Sequence, residues 1–188
     1  ILREFVQFPA VRQEFKKQGV IPLMVEGTGT YVLNTNKPVK TFEDMKLLKL
    51  RSFGTLLPEI MKRLGATPTS MAAPEVFTAV QTGTLAGSPM WVSGIASGKM
   101  YEAAPYVTEF PAGGITHAVW PIVWGEKSWN NLPKHLQDII TKVSNERHWI
   151  AEGFDKPDAE AESVVKAKAK MWYVLPKTET ARWVKSME

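Results

Sequence analysis

KLLKLRSFGTLLPEIMKRLGATPTSMAAPEVFTAVQTGTLAGSPMW, residues 46–91, alternates three short apolar runs with two helical ones. LLKLR is a strand candidate ending on Arg51; Gly54 opens a turn, and Thr55 is placed to cap a helix with Leu56, Ile60, Met61 and Leu64 on one face and Gly65 as its stop. TPTSM extends next, with Pro68 marking an end or an edge. Pro74 suits the first turn of a second helix, PEVFTAVQTG, in which Val76, Phe77 and Val80 keep the helical period and Gly83 ends it. TLAGSPMW returns as a third strand. Strand, helix, strand, helix, strand argues for parallel strands joined by right-handed crossovers, since a helix is what such a connection needs. In open sheets of this kind ligands sit beyond the carboxyl ends of the strands, and Arg51 and the run Ser88–Trp91 both fall there.

An arginine at such a place has a physical use. Guanidinium is planar and permanently charged, and its fork of donors matches both oxygens of a carboxylate; lysine would supply charge alone. The bland alternative is an arginine that ends a strand in solvent or pairs with a structural acid. Size and composition permit either. At 188 residues with 44% hydrophobic and 22% charged side chains the chain is an ordinary globular sequence of one domain or two small ones. Its net charge of +4 comes from dispersed lysines and not from a basic stripe, which argues against a nucleic-acid partner and suits a small anion. With no cysteine there are no disulfides, no thiol chemistry and no cysteine-held metal. No apolar run is long enough to span a bilayer.

The colinear set KLLKLR, LGATPTSM, PEVFTAVQTGTLAG and KMYE, preceded by TFEDM and followed by WNNLPKHLQDII, resembles the solute-binding proteins of tripartite ATP-independent periplasmic (TRAP) transporters, DctP type. The resemblance covers the chain as a middle and C-terminal portion, with the family's first third missing. It implies an α/β, periplasmic-binding-protein-like fold of two lobes, with parallel-rich sheets flanked by helices, hinge strands and a long inter-lobe helix. By that pattern residues 1–28 belong to lobe I, 29–116 to lobe II, 117–154 return to lobe I, and 155–188 form the hinge helix and the C-terminal part of lobe II. The arginine in the position of Arg51 is the one that holds the ligand carboxylate in the family. The implied partners are a small organic acid and membrane-embedded TRAP subunits, with no cofactor, no metal and no nucleic acid. The implied location is periplasmic, the signal peptide lying outside this chain.

ILREFVQFPAVRQEFKKQG is an amphipathic helix, and VIPLMVEGTGTYVLNTNKPVK is a strand, a glycine turn and a second strand ending at Lys37-Pro38. Glu26, Gly27 and Gly29 do not make a phosphate loop, because a strand and not a helix follows them. The family often carries a second arginine two residues after the glycine of this turn. Taking Gly29-Thr30 as the turn, Tyr31 stands there, which suggests a ligand with fewer anionic groups or an aromatic or apolar body. Ser88-Pro89-Met90-Trp91 departs from the family's acidic and amide residues in the same direction, although Met90 and Trp91 could equally pack the core. Phe53, just beyond Arg51, joins this candidate lining.

VSGIASG is a short glycine-punctuated helix, and ITHAVWPIVWG is an edge or bulged strand interrupted by Pro121. His117 and Trp120 on it are further ligand candidates; for a lone histidine a structural role is the competing one. From Pro133 the chain is helical, with an interruption expected at Gly153 to Pro157, before a last strand WYVLP and a last helix ETARWVKSME. His148 and Glu152 share a helical face without a third metal ligand, and Ser163 and Lys166 match a serine-lysine motif without its companion signatures. No base or nucleophile stands beside Arg51 in the sequence. The reading is therefore a non-enzymatic receptor for a small acid, with a small-acid-metabolising α/β enzyme or a ligand-sensing effector domain as the alternatives.

Overall fold

A computed structural model describes residues 8–27, 29–111, 115–116, 119–146 and 149–187. The chain divides into two compact units, one of residues 1–28 and 118–156, the other of residues 29–117 and 157–188.

The first unit holds α1 (Pro9–Lys17), β1 (Val20–Gly27), β7 (Val119–Gly125), α5 (Glu126–Asn130) and α6 (Lys134–Glu146). β1 and β7 pair antiparallel as a two-stranded sheet, with the register slipping between Pro22 and Met24. Proline supplies no N–H to a ladder, and both strands carry one, Pro22 and Pro121. Trp124 packs edge-on against Trp129 of α5, ring centroids 5.8 Å apart.

The second unit is built on a six-stranded sheet in the order β4-β3-β5-β2-β6-β8. Its strands are β2 (Tyr31–Thr35), β3 (Lys49–Ser52), β4 (Thr67–Ser70), β5 (Gly87–Trp91), β6 (Tyr106–Glu109) and β8 (Met171–Val174). β3 runs parallel to β4 and to β5, β6 runs parallel to β8, and β2 runs antiparallel to both of its neighbours. The strand–helix alternation of residues 46–91 accounts for the parallel part. α2 (Leu56–Arg63) links β3 to β4, and α3 (Val76–Gln81) links β4 to β5. Successive β2 residues point to opposite faces, so each face receives its own core. Val32 joins Val76, Val80, Met90, Ile95 and Val165, whereas Leu33 joins Leu50, Met61, Leu64, Leu175 and Trp183.

Two helical expectations are corrected. Leu57, not Leu56, leads the buried face of α2: Leu57, Met61 and Leu64 are buried at helical spacing, and Leu56 is 69% exposed. The helix expected to break at Gly153 to Pro157 does not, since α7 runs from Trp149 to Lys168 without interruption. A proline within a helix costs one i→i−4 hydrogen bond and crowds one carbonyl, which favours but does not force an end, and the alanines and glutamates that follow are strong helix formers. The second strand also stops at Thr35, short of Lys37-Pro38. No helix among the described residues is long and apolar enough to cross a membrane.

Candidate functional site

The strand order brings four chain segments to one edge of the second unit's sheet. Arg51 lies near the carboxyl end of β3, Met71 follows the carboxyl end of β4, and Trp91 ends β5. β2 is antiparallel to β5, so its first residue, Tyr31, pairs directly with Trp91. Neighbouring strands lie about 4.8 Å apart, which makes these residues close neighbours although they are distant in sequence.

Arg51 is 8% exposed. Its Nε donates to the Met71 carbonyl at 3.0 Å, and its guanidinium carbon sits 4.7 Å from the centroid of the Phe53 ring. Among the described residues no carboxylate forms an ion pair with it. With Nε engaged and a ring beside it, the guanidinium plane is held in one orientation. Burial pushes its pKa down from the ordinary arginine value, the neighbouring Tyr31 phenol opposes that shift, and the group remains a cation at neutral pH.

An aromatic row continues from this cation. Phe53 and Tyr31 have ring centroids 6.0 Å apart and Tyr31 and Trp91 5.8 Å, all tilted, within the range of favourable aromatic contacts. Chemically the group offers a fixed cationic fork beside an apolar, π-rich wall, a combination suited to an anion with a flat or apolar body.

Four candidates, Arg51, Tyr31, Phe53 and Trp91, are thus brought together. Ser88 and Met90 are not in that row: Ser88 is fully buried with its hydroxyl donating to the Pro89 carbonyl at 2.8 Å, and Met90 packs in the core with Val32 and Val92. The two-residue period explains it, because Met90 pairs with Val32 and Ser88 with Asn34, on the face opposite to that of Tyr31 and Trp91. Trp120 belongs to the other unit, on β7, and is 53% exposed. His117, and with it the His148–Glu152 pair, lies outside the residues whose side chains are described. Among the described residues no group of three or more His, Cys, Asp or Glu side chains could hold a metal ion.

Two neighbours of the row went unremarked in the sequence. The Met71 carbonyl is backbone and carries no residue-type signal. Asp158, on α7, packs on Gly29 two residues before Tyr31, so closely that a β-carbon at position 29 would fall 1.6 Å from its Oδ2. Nothing in the local pattern of a charged helix marks one acid among several as the one turned inward.

This arrangement is that of an α/β fold whose candidate site lies at the carboxyl edge of parallel strands. The chain belongs to the bacterial extracellular solute-binding protein family 7, DctP, whose family model matches residues 2–188. It is 34% identical over 147 residues to a solute-binding protein of Sulfitobacter sp. (strain NAS-14.1), covering 78% of this chain and 44% of that protein. It is 27% identical over 173 residues to the C4-dicarboxylate-binding periplasmic protein DctP of Rhodobacter capsulatus, covering 90% of this chain and 51% of that one. A TRAP solute-binding protein of Rhodoferax ferrireducens T118, solved in complex with copurified benzoate, superposes with a TM-score of 0.86 at 25% identity, over 98% of this chain and 58% of the other. The chain therefore spans about half the length of the curated relatives it matches. The family is one of solute receptors and not of enzymes, and the fold is that of TRAP periplasmic binding proteins.

Proposed function

We propose that this chain forms part of an extracytoplasmic receptor that captures a small organic acid on Arg51 and delivers it to membrane subunits of a TRAP-type transporter. The observation that carries the proposal is a buried arginine, oriented by the Met71 carbonyl and the Phe53 ring, with no carboxylate partner among the described residues. A charge held so far out of water is costly unless something compensates it, and a ligand carboxylate on Nη1 and Nη2 is the compensation the geometry is set for. Tyr31 in place of a second cation, together with Phe53 and Trp91, favours one carboxylate on an aromatic or apolar body. The benzoate found on the Rhodoferax ferrireducens protein is an acid of this kind. On this reading the protein performs no catalysis, works in the periplasm, and binds neither cofactor nor nucleic acid.

The test is a thermal-shift and calorimetric screen of the intact protein against aliphatic, aromatic and sugar acids, repeated on Arg51→Ala and Arg51→Lys. A ligand at one hundred times its Kd adds about 2.7 kcal/mol to folded-state stability and is readily seen as a raised melting temperature. Acids should raise it in the unsubstituted protein and not in Arg51→Ala. Arg51→Lys, which keeps the charge and loses the fork, should weaken binding by about 2 kcal/mol, roughly thirtyfold. Binding that survives Arg51→Ala undiminished, or no shift with any acid, overturns the assignment.

A further inference from the structure

Trp91 does not stand free at the end of β5; its indole lies back across the helix that follows. That helix, α4, runs from Val92 to Ser97 and contains Gly94. A β-carbon on Gly94 would lie 2.6 Å from Trp91 Cε2 and 2.8 Å from Trp91 Nε1, closer than packed atoms approach. The backbone does not explain a glycine there, since Gly94 is not among the glycines with positive φ, which are Gly19, Gly54, Gly65 and Gly83. Within a helix, glycine is a poorer choice than alanine on conformational grounds. What glycine supplies at this position is room for the indole.

The indole also meets Tyr31, and through Tyr31 and Phe53 the contacts continue to the Arg51 guanidinium. We infer that Gly94 is a positioning residue that determines the specificity of the Arg51 site: lacking a side chain, it seats the Trp91 indole on α4 and so sets the wall against which the body of the bound acid packs. The inference rests on the receptor reading above. A methyl group at position 94 drives the ring off α4 and, through its contact with Tyr31, disturbs the aromatic row while leaving the carboxylate anchor in place.

The experiment compares two probes, benzoate and propionate, on the intact protein by titration calorimetry, with tryptophan emission and melting temperature recorded alongside. Gly94→Ala should weaken benzoate about tenfold and propionate less than about twofold, shift the emission, and lower the melting temperature modestly, since the displaced indole outweighs the better helix propensity of alanine. Trp91→Phe removes the clash, so adding Gly94→Ala to it should change benzoate affinity less than about twofold, a coupling that a merely structural glycine would not show. If benzoate binds through Arg51 and Gly94→Ala leaves the benzoate-to-propionate ratio unaltered, the role of Gly94 is overturned and the receptor stands. An equal loss for both probes with a lowered melting temperature also overturns it. If the unsubstituted protein binds neither probe, the role of Gly94 at an aromatic-acid site is overturned, whereas the receptor reading falls only if the wider acid screen is also negative.

Discussion

Leu47 is held at φ +62° with 85% of its surface exposed, a backbone conformation that costs an L-residue with a side chain about 1–2 kcal/mol. The turn between Lys46 and Leu48 is fixed from both sides, since the Leu47 N–H donates to Gly65 O at 2.9 Å and the Thr67 N–H to Leu48 O at 2.8 Å. An exposed side chain contributes little in return. Leu47→Gly should raise stability by about 0.5–1 kcal/mol, the strain relieved less the extra entropy of glycine in the unfolded chain, measured as an increased urea midpoint with unchanged slope. Arg51 shows the reverse relation between place and use. Its residue type and its position before a predicted helix were legible in the sequence, because Gly54, at φ +64°, opens the turn that ends the strand; Thr55 takes the N-cap position without a side-chain capping bond. Its orientation was not, because the groups that hold it are a backbone carbonyl and a ring brought in by folding.

At the scale of elements, the β2–β5 pairing holds the centre of the larger sheet, and Gly87 is where the two backbones press together. A β-carbon at Gly87 would fall 2.1 Å from the Asn34 carbonyl oxygen and 2.8 Å from the Thr35 Cα, atoms that cannot swing aside. Gly87→Ala should therefore cost about 2–3 kcal/mol or more, seen as a lowered denaturant midpoint, and should displace Tyr31 and Trp91 farther along the same pair of strands. The C-terminal helix α8 (Lys177–Met187) is attached differently. It buries Trp183 against Phe42 and Phe110, its Glu179 accepts the Phe42 N–H at 2.9 Å, and Arg182 bonds both Glu179 and Glu43. The Arg182 guanidinium, with the Phe42 N–H, holds the Glu179 carboxyl below its usual range. The Lys40 and Thr41 N–H groups do the same for Asp44 in the adjoining turn. Groups with depressed pKa values stabilise the folded state above their unfolded pKa and stop doing so as pH falls through the folded value. The urea midpoint should thus be level down to about pH 5 and decline below about pH 4, and Glu179→Gln should flatten part of that decline.

At the scale of the whole molecule, the two units are unequally buried. Among the described residues every buried side chain, from Tyr31 to Trp183, belongs to the second unit, whereas Trp120, Ile122, Val123, Ile139 and Val143 of the first are exposed. Opening free energies follow local burial, so amides of the β1–β7 pair in this 188-residue chain should exchange faster than those of β2 and β5 by hydrogen-exchange mass spectrometry. Equal protection of the two sheets would show that exposure does not govern their relative stability.

The sequence by itself determined the alternating strands and helices of residues 46–91 and the cation at a strand end, because these depend on periods and turn residues that act over a few positions; the family, and hence the fold, followed from the colinear segments that resemble the DctP proteins along the whole chain. It also identified Tyr31, Phe53 and Trp91 as companions of Arg51. Tertiary structure alone decided that Ser88 and Met90 lie on one face of the sheet and Tyr31 and Trp91 on the other, that α7 continues through Pro157, and that Gly94 lies under an indole. Those outcomes depend on strand register and on approaches between atoms distant in the chain. A two-residue period says which residues share a face; it is the packing on each side of the sheet that says what each face meets.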